Sequence, residues 1–94
     1  MTEQTIAYIG IPLVIMQDER LTHSQILLYG IIFSNSDDKG CCRMTNRDFS
    51  KLLNTSTKSV LRYLEALEKQ QLITRQTVRD KDTNEVTERR IFIL

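Results

Sequence analysis

The sequence predicts two helices that are joined by a tight turn. They are followed at once by a segment with a different hydrophobic period. Between residues 45 and 70, apolar side chains recur every three or four positions, which is the spacing of one helix face. Val60, Leu64 and Leu67 form the clearest stripe, within a predicted helix over residues 57–70. Beyond this helix the apolar side chains alternate, as they do in strands. The chain is therefore expected to combine a helix pair with a sheet.

Residues with strong capping preferences set the limits of the two helices. Thr45 and Asp48 have the spacing of a capping box at the start of the first one. The apolar face of that helix is expected to contain Phe49, Leu52 and Leu53. Asn54 tolerates the left-handed backbone that ends many helices, and new N-caps follow directly at residues 55–57. Together these signals predict a helix-turn-helix over residues 45–70.

The first half of the chain contains one further helix and two less regular segments. A capping box at Thr22 begins a helix over residues 22–34 that is apolar on nearly all sides, as helices in a core or an interface are. Residues 1–16 contain Pro12, which cannot donate to a central ladder, so we expect an edge strand or an extended arm there. Residues 41–44 fit a short strand on which one of the two adjacent cysteines faces the core and the other faces solvent.

The last segment, residues 72–94, is predicted to form a β-hairpin. Two alternating stretches flank the polar, turn-forming residues 80–84. Helix, strand, helix, turn, helix and hairpin is the order of a winged helix. The predicted fold class is therefore α+β, a winged helix-turn-helix with three helices and a C-terminal β-hairpin wing. Residues 1–94 are expected to form this single domain, as the N-terminal part of a longer protein.

Residue types needed for catalysis or metal binding are scarce. Cys41 and Cys42 are adjacent and His23 is the sole histidine, so neither a zinc site nor a Ser-His-Asp triad has the residues it requires. We expect no metal, no cofactor and no enzymatic activity. The uncharged apolar run Ile6–Met16 is shorter than the ~20 residues of a membrane span, and no basic secretory-signal segment precedes it. We expect a cytoplasmic protein without a membrane partner.

The distribution of charge indicates an anionic partner. The chain carries a net charge of +1, but residues 1–44 carry −2 and residues 45–94 carry +3. A helix fits the major groove of B-DNA, about 12 Å wide, and helix N-termini favour phosphate oxygens. On the helix over residues 57–70, the candidate DNA-binding residues are Ser56, Thr57, Lys58, Ser59 and Arg62. Further candidates are Arg47 and Lys51 on the preceding helix, and Arg79 and Lys81 beside the hairpin tip.

The wing is less clearly basic than the helix before it. Three more cations, Arg75, Arg89 and Arg90, could contribute to DNA binding. The wing is nearly neutral, however, because it also contains Asp80, Asp82, Glu85 and Glu88. On the helix itself, Glu65 and Lys69 are four residues apart and are expected to pair with each other.

Five segments of the sequence carry a family resemblance. They are LTHSQILLYG (residues 21–30), KGCCRMTN (39–46), LNTSTKSVLRYL (53–64), LEKQQLI (67–73) and RRIFI (89–93). They resemble the N-terminal winged helix of phage and plasmid replication initiators and replisome organisers of Gram-positive bacteria. The resemblance covers nearly the whole chain, from about Ile11. It implies origin or operator DNA as the ligand, read by Thr57, Lys58, Ser59 and Arg62, and a region beyond Leu94 that recruits replication proteins.

The sequence departs from the family pattern in three respects. Asn54 replaces the glycine common in the turn, which is tolerable. Gln70 and Gln71 replace a helix end that usually contains glycine, which would lengthen the helix slightly. Leu61 occupies a position that is often polar, where an apolar side chain would contact either a thymine methyl group or a protein partner.

The predicted function is therefore double-stranded DNA binding for replication initiation of a phage or plasmid. Two alternatives stay open: a transcriptional repressor of the same fold, and a winged helix used for protein–protein assembly. The apolar helix over residues 22–34 and the N-terminal arm favour a homodimer. Dimerisation is compatible with DNA binding, because a two-fold dimer presents two reader helices to half-sites about one DNA turn apart.

Overall fold

The computed structural model describes residues 7–94, which form four helices and one three-stranded sheet. In chain order these are α1 (Leu13–Met16), α2 (His23–Ser34), β1 (Cys41–Cys42), α3 (Asn46–Leu53), α4 (Thr57–Lys69), β2 (Ile73–Arg79) and β3 (Val86–Ile93). The predicted α+β winged helix-turn-helix is confirmed, with α2, α3 and α4 as its three helices and β2 and β3 as its wing. None of the helices in the described range has the length and apolar character needed to cross a membrane.

Reciprocal side-chain caps begin α2 and α3. Thr22 Oγ1 accepts a hydrogen bond from the Gln25 backbone N–H at 3.2 Å, and Gln25 Oε1 accepts one from the Thr22 N–H at 3.0 Å. Thr45 and Asp48 make the same pair of bonds, at 3.1 and 3.0 Å. Because each cap satisfies N–H groups that have no partner within the helix, it contributes on the order of 1 kcal/mol. Both predicted capping boxes are confirmed.

The turn between α3 and α4, and the end of α4, both use left-handed residues. Asn54 has a φ of 54°, as predicted for the end of α3. Gln71 has a φ of 63° at the end of α4, and the Leu72 N–H donates to the Leu67 carbonyl at 3.1 Å. This bond closes the helix at Lys69 in the manner of a Schellman motif. The expectation of a lengthened helix is therefore wrong, because Gln71 adopts the conformation that glycine usually provides.

The wing joins a sheet of order β1–β3–β2, with both pairs antiparallel. Ile73 pairs with Ile93 at the base of the hairpin, and Cys42 pairs with Ile91. One face of this sheet packs against the helices. The largest fully buried side chains come from all these elements: Leu28, Ile32, Cys42, Phe49, Val60, Leu64, Leu67, Ile73 and Ile91. The wing is thus rooted in the same core that holds α4.

The N-terminal segment differs from the predicted strand. Residues 1–6 of the predicted arm lie outside the described part, and residues 7–12 have no regular secondary structure. Leu13–Met16 forms one helical turn, because the Pro12 carbonyl accepts hydrogen bonds from the N–H groups of Ile15 and Met16. The alternative of an arm laid on the core fits Ile11, which packs against the core cluster.

Two side-chain placements were also predicted wrongly. Cys41 and Cys42 are both buried, at 4% and 0% exposure, although one was expected to face solvent. The turn after α2 folds back on β1 at this point, since Asp37 Oδ1 accepts a hydrogen bond from the Cys41 N–H at 3.0 Å. Leu52 is 61% exposed. The buried side of α3 is narrow and contains Phe49, with Leu53 half-buried beside it.

Candidate nucleic-acid interface

Helix α4 presents basic side chains on the face opposite its buried stripe. Val60, Leu64 and Leu67 are fully buried, whereas Lys58 and Arg62 are exposed. At 100° per residue, Lys58 and Arg62 lie about 40° apart around the helix axis. Neither takes part in an ion pair within residues 7–94. Two positive charges that form no ion pair in the described chain therefore face solvent side by side.

Lys69 lies on the same face and was not among the predicted site residues. It follows Lys58 by eleven residues, which is about three helical turns. No ion pair joins it to Glu65 among the described residues, so the predicted pair is wrong. The sequence already placed Lys69 on this face, but it was expected to pair with Glu65 and to support the helix only. Glu65 is itself exposed on this face and reduces its positive charge.

The start of α4 holds the predicted hydroxyl residues, but two of them, Ser56 as the N-cap and Ser59 as its partner, are bonded to each other. Ser56 Oγ accepts a hydrogen bond from the Ser59 N–H at 3.0 Å and donates one to Ser59 Oγ at 3.1 Å. Arg62 Nη2 lies 3.4 Å from the same Ser59 oxygen. Thr57 is exposed, and no hydrogen bond engages its hydroxyl within the described chain. Ser56 and Ser59 therefore order the helix start, and Thr57, Lys58 and Arg62 remain available to a ligand.

Helix α3, which packs against α4, adds two exposed cations. Arg47 and Lys51 are one helical turn apart and form no ion pair with any described residue. Asp48 lies between them, and hydrogen bonds from Thr45 hold the pKa of its carboxyl below the usual range. Its negative charge is directed to the N-terminus of α3, where the helix dipole favours it. The predicted placement of Arg47 and Lys51 on the helix that precedes α4 is thus confirmed.

Most wing cations are engaged within the domain. Arg75 Nη2 lies 2.7 Å from Glu68 Oε1, which ties β2 to α4. Arg90 pairs with Glu88, and Glu88 also lies 3.6 Å from Arg43 Nε. Hydrogen bonding to these arginines lowers the pKa of both glutamates, so both pairs are ionised at neutral pH. The possible contribution of Arg75 and Arg90 to DNA binding is therefore not supported by their geometry.

Arg89 is the most deeply placed cation of the wing. Its guanidinium donates to Asn46 Oδ1 and, at 2.5 Å, to the Met44 carbonyl, and it lies 5.8 Å from the centroid of the Phe49 ring. Burial lowers the pKa of Arg89. Its Nε–H has no hydrogen-bond partner among the described residues. Arg89 thus connects β3 to the start of α3, a structural role that a sequence separation of more than forty residues had hidden.

The hairpin tip holds the two remaining wing candidates among acidic groups. Arg79 and Lys81 are exposed, and Arg79 Nη1 donates to the Asn84 carbonyl at 3.1 Å. Asp80 accepts hydrogen bonds from the N–H groups of Asp82 and Thr83, which lower the pKa of its carboxyl. Asp82 and Glu85 are also exposed nearby in the loop. With two cations and three carboxylates, the tip has a net negative charge.

Within residues 7–94, no group of three or more His, Cys, Asp or Glu side chains is placed to hold a metal ion. Burial raises the pKa of the Cys42 thiol, which keeps it protonated and poorly nucleophilic.

Comparison with known proteins adds a family and two related folds. A family model described as "Helix-turn-helix domain" matches residues 19–73. A solved structure described as "Structure of Rep-DNA complex" has a TM-score of 0.60 at 18% sequence identity, covering 94% of this chain and 75% of that one. Another, described as "N-Terminal domain of DNA binding protein", has a TM-score of 0.58 at 15% identity, covering 99% and 84%. No curated protein is significantly similar in sequence.

Proposed function

Since this chain belongs to the helix-turn-helix domain family, we propose that it binds double-stranded DNA with α4 in the major groove. The observation that supports this most is the pair Lys58 and Arg62, which are exposed on one face of α4 and form no ion pair with any described carboxylate. The fold also resembles the chain of a Rep–DNA complex. The proposal is for a binding module and not for an enzyme.

Each type of side chain on this surface would make a different kind of contact with DNA. The Arg62 guanidinium can donate two parallel hydrogen bonds to the O6 and N7 atoms of guanine, while Lys58 neutralises a phosphate or donates to a base edge. The hydroxyl of Thr57, at the helix start, can donate a hydrogen bond to a phosphate oxygen. Arg47 and Lys51 on α3 would contact phosphates beside the site, since the first helix of the motif crosses the DNA backbone.

The biological process belongs to the proposal as well. Replication initiation of a phage or plasmid is favoured by the similarity to a Rep protein that was solved with DNA. A transcriptional repressor could use the same α4 surface, and the two roles are distinguished by whether the preferred site lies in an origin or in a promoter.

The proposal is tested by measuring binding to random duplex DNA as a function of salt. Each neutralised phosphate contributes about −0.9 to the slope of log K against log salt concentration. The wild type should bind duplex DNA with a negative slope, and Lys58→Ala with Arg62→Ala should lose about tenfold or more in affinity at low salt. Each single variant, Lys58→Ala and Arg62→Ala, is also compared with Lys39→Ala, which removes one positive charge from an exposed lysine in the loop before β1. Absence of duplex binding at low salt would refute the proposal.

A second candidate function, assembly with another copy of the chain, rests on a different surface. Six of the eleven large apolar side chains that the described residues expose lie in the first 27 residues. We name them the N-terminal apolar surface: Tyr8, Ile9, Leu13, Val14, Met16 and Leu27. Met16 and Leu27 line one cavity together with Ile11 and Ile26, and large exposed apolar areas are typical of interaction sites. Residues 7–17 carry no charge, so a two-fold contact would oppose no like charges.

The arm that carries this surface is seated on α2 by shape and by hydrogen bonds. A Cβ at Gly30 would lie 2.6 Å from Ile11 Cγ1, so only glycine allows the arm to approach α2 so closely. Ser34 Oγ lies 2.7 Å from the Gly10 nitrogen and 3.2 Å from the Gly10 carbonyl oxygen. Such a fixed arm would present α1 and Leu27 to a partner with little loss of conformational entropy.

Sedimentation equilibrium tests the proposed homodimer. The wild type should associate at micromolar concentrations, and Leu13→Gln with Val14→Gln should be monomeric. Val86→Gln, a comparable change at an apolar side chain that is 50% exposed on β3, should associate as the wild type does. If the wild type stays monomeric at 1 mM, this surface is not a dimer interface. The same conclusion follows if both variants lose association equally.

A further inference from the structure

Leu61 is an apolar side chain on α4 that the fold does not use. It is 40% exposed and belongs neither to the core cluster nor to the partly buried side chains packed against it. The apolar stripe of α4 runs through Val60, Leu64 and Leu67, and Leu61 lies outside it. At 100° per residue, Leu61 is about 60° from Lys58 around the helix axis and one turn from Thr57. It therefore borders the group of side chains available to DNA.

The chemistry of the major groove offers one apolar group to such a side chain. Base edges there present hydrogen-bond donors and acceptors, and the C5-methyl group of thymine is the exception. We propose that Leu61 contacts a thymine methyl group and makes the domain select a thymine beside the base pair bound by Arg62 or Lys58. Residues three and four apart on a helix are neighbours, so Leu61 and Lys58 would reach adjacent positions of the duplex.

This inference rests on the proposed function and deepens it from DNA binding to a specific base preference. Leu52 on α3 is more exposed than Leu61, at 61%. It lies on the helix that crosses the DNA backbone in this motif and not on the one that enters the groove. Leu52 is therefore the matched control, because it has the same chemistry outside the proposed reading surface.

The test replaces thymine by deoxyuridine, which removes only the methyl group and leaves base pairing unchanged. A preferred duplex is first selected from a random library with the wild-type protein. Each thymine of that duplex is then replaced singly. One position should weaken wild-type binding by about fourfold, the factor that corresponds to burial of one methylene-sized group. Leu61→Ala should bind the thymine and deoxyuridine duplexes equally, and Leu52→Ala should keep the fourfold difference.

The outcomes separate this inference from the function on which it depends. If the wild type selects a duplex but is indifferent to every replacement, or if Leu61→Ala keeps the wild-type discrimination, Leu61 does not read thymine and DNA binding stands. If no duplex is selected and none binds at low salt, the proposed function fails and this inference fails with it. Circular dichroism of both variants establishes that each is folded before the binding data are compared.

Discussion

Helix α4 and the β-hairpin wing contain similar proportions of basic residues, but they differ in how many of these residues are engaged by partners within the domain. On α4, Lys58, Arg62 and Lys69 are exposed on one face and form no ion pair within the described chain. In the wing, Arg75 and Arg90 are paired with glutamates, and Arg89 is directed into the domain. Charge counted along a sequence therefore overstates what a surface offers to an anion. The electrostatic attraction of this domain for DNA should come from its helices.

Among the wing cations, Arg89 should contribute most to the stability of the fold. Arg89→Ala should lower the free energy of unfolding by about 2 kcal/mol, because two hydrogen bonds from a charged donor and its packing over Phe49 are lost. Arg89→Lys should recover less than half of this, since an ammonium lacks the planar fork that reaches both acceptors. Urea unfolding followed by circular dichroism measures the change. Arg90→Ala, which removes only a surface pair, is the control, and an equal loss in both variants would contradict the assignment.

Neutralising the acidic groups of the wing tip should raise the affinity for DNA slightly. Asp82→Asn with Glu85→Gln removes two exposed negative charges and should raise duplex affinity by about twofold at low salt, because repulsion of phosphates is reduced. The gain should vanish above 0.2 M salt. The same charge change at Glu19 and Asp38, in the first half of the chain, serves as the control in a fluorescence anisotropy titration. A gain of the same size in the control would show a general charge effect.

The ion pair between Glu68 on α4 and Arg75 on β2 should make only a small contribution to stability. The hydrogen bond from Arg75 lowers the pKa of Glu68 in the folded state, so its contribution to stability is present above the unfolded pKa and is lost as pH falls through the folded pKa. The side chain is 37% exposed, so Glu68→Gln should cost less than about 1 kcal/mol at pH 7. Thermal melts at pH 7 and pH 3 should show a difference between wild type and variant only at pH 7. An equal difference at both values would mean that the ion pair is not its origin.

Local signals in the sequence predicted the framework of the fold. Thr22, Thr45 and Asn54 act through neighbours within five residues, so both capping boxes and the turn between α3 and α4 could be predicted from spacing alone. The alternating segments after residue 71 predicted the hairpin in the same way. α1 was missed because Pro12 was interpreted as an element of an edge strand, whereas its carbonyl begins a helical turn.

The candidate site was predicted only where it depends on a single helix. The positions of Lys58 and Arg62 follow from the helical period, and both lie where expected. The fate of the wing cations depends on which residues the fold brings together. Arg75 meets Glu68 across the turn that ends α4, and Arg89 meets Met44 and Asn46 through the packing of β3 beside α3. No spacing rule predicts these contacts, because they require the register of the sheet and its packing on the helices.

DNA binding through α4 is tested by comparing the salt dependence of binding in two double variants. One carries Lys58→Ala and Arg62→Ala on α4, and the other carries Arg79→Ala and Lys81→Ala at the wing tip. On one duplex, the slope of log K against log salt should become shallower by one to two units in the α4 variant, at about 0.9 per lost phosphate contact, and by less than half a unit in the wing variant. A wing variant that loses as much slope as the α4 variant, or more, would contradict the account.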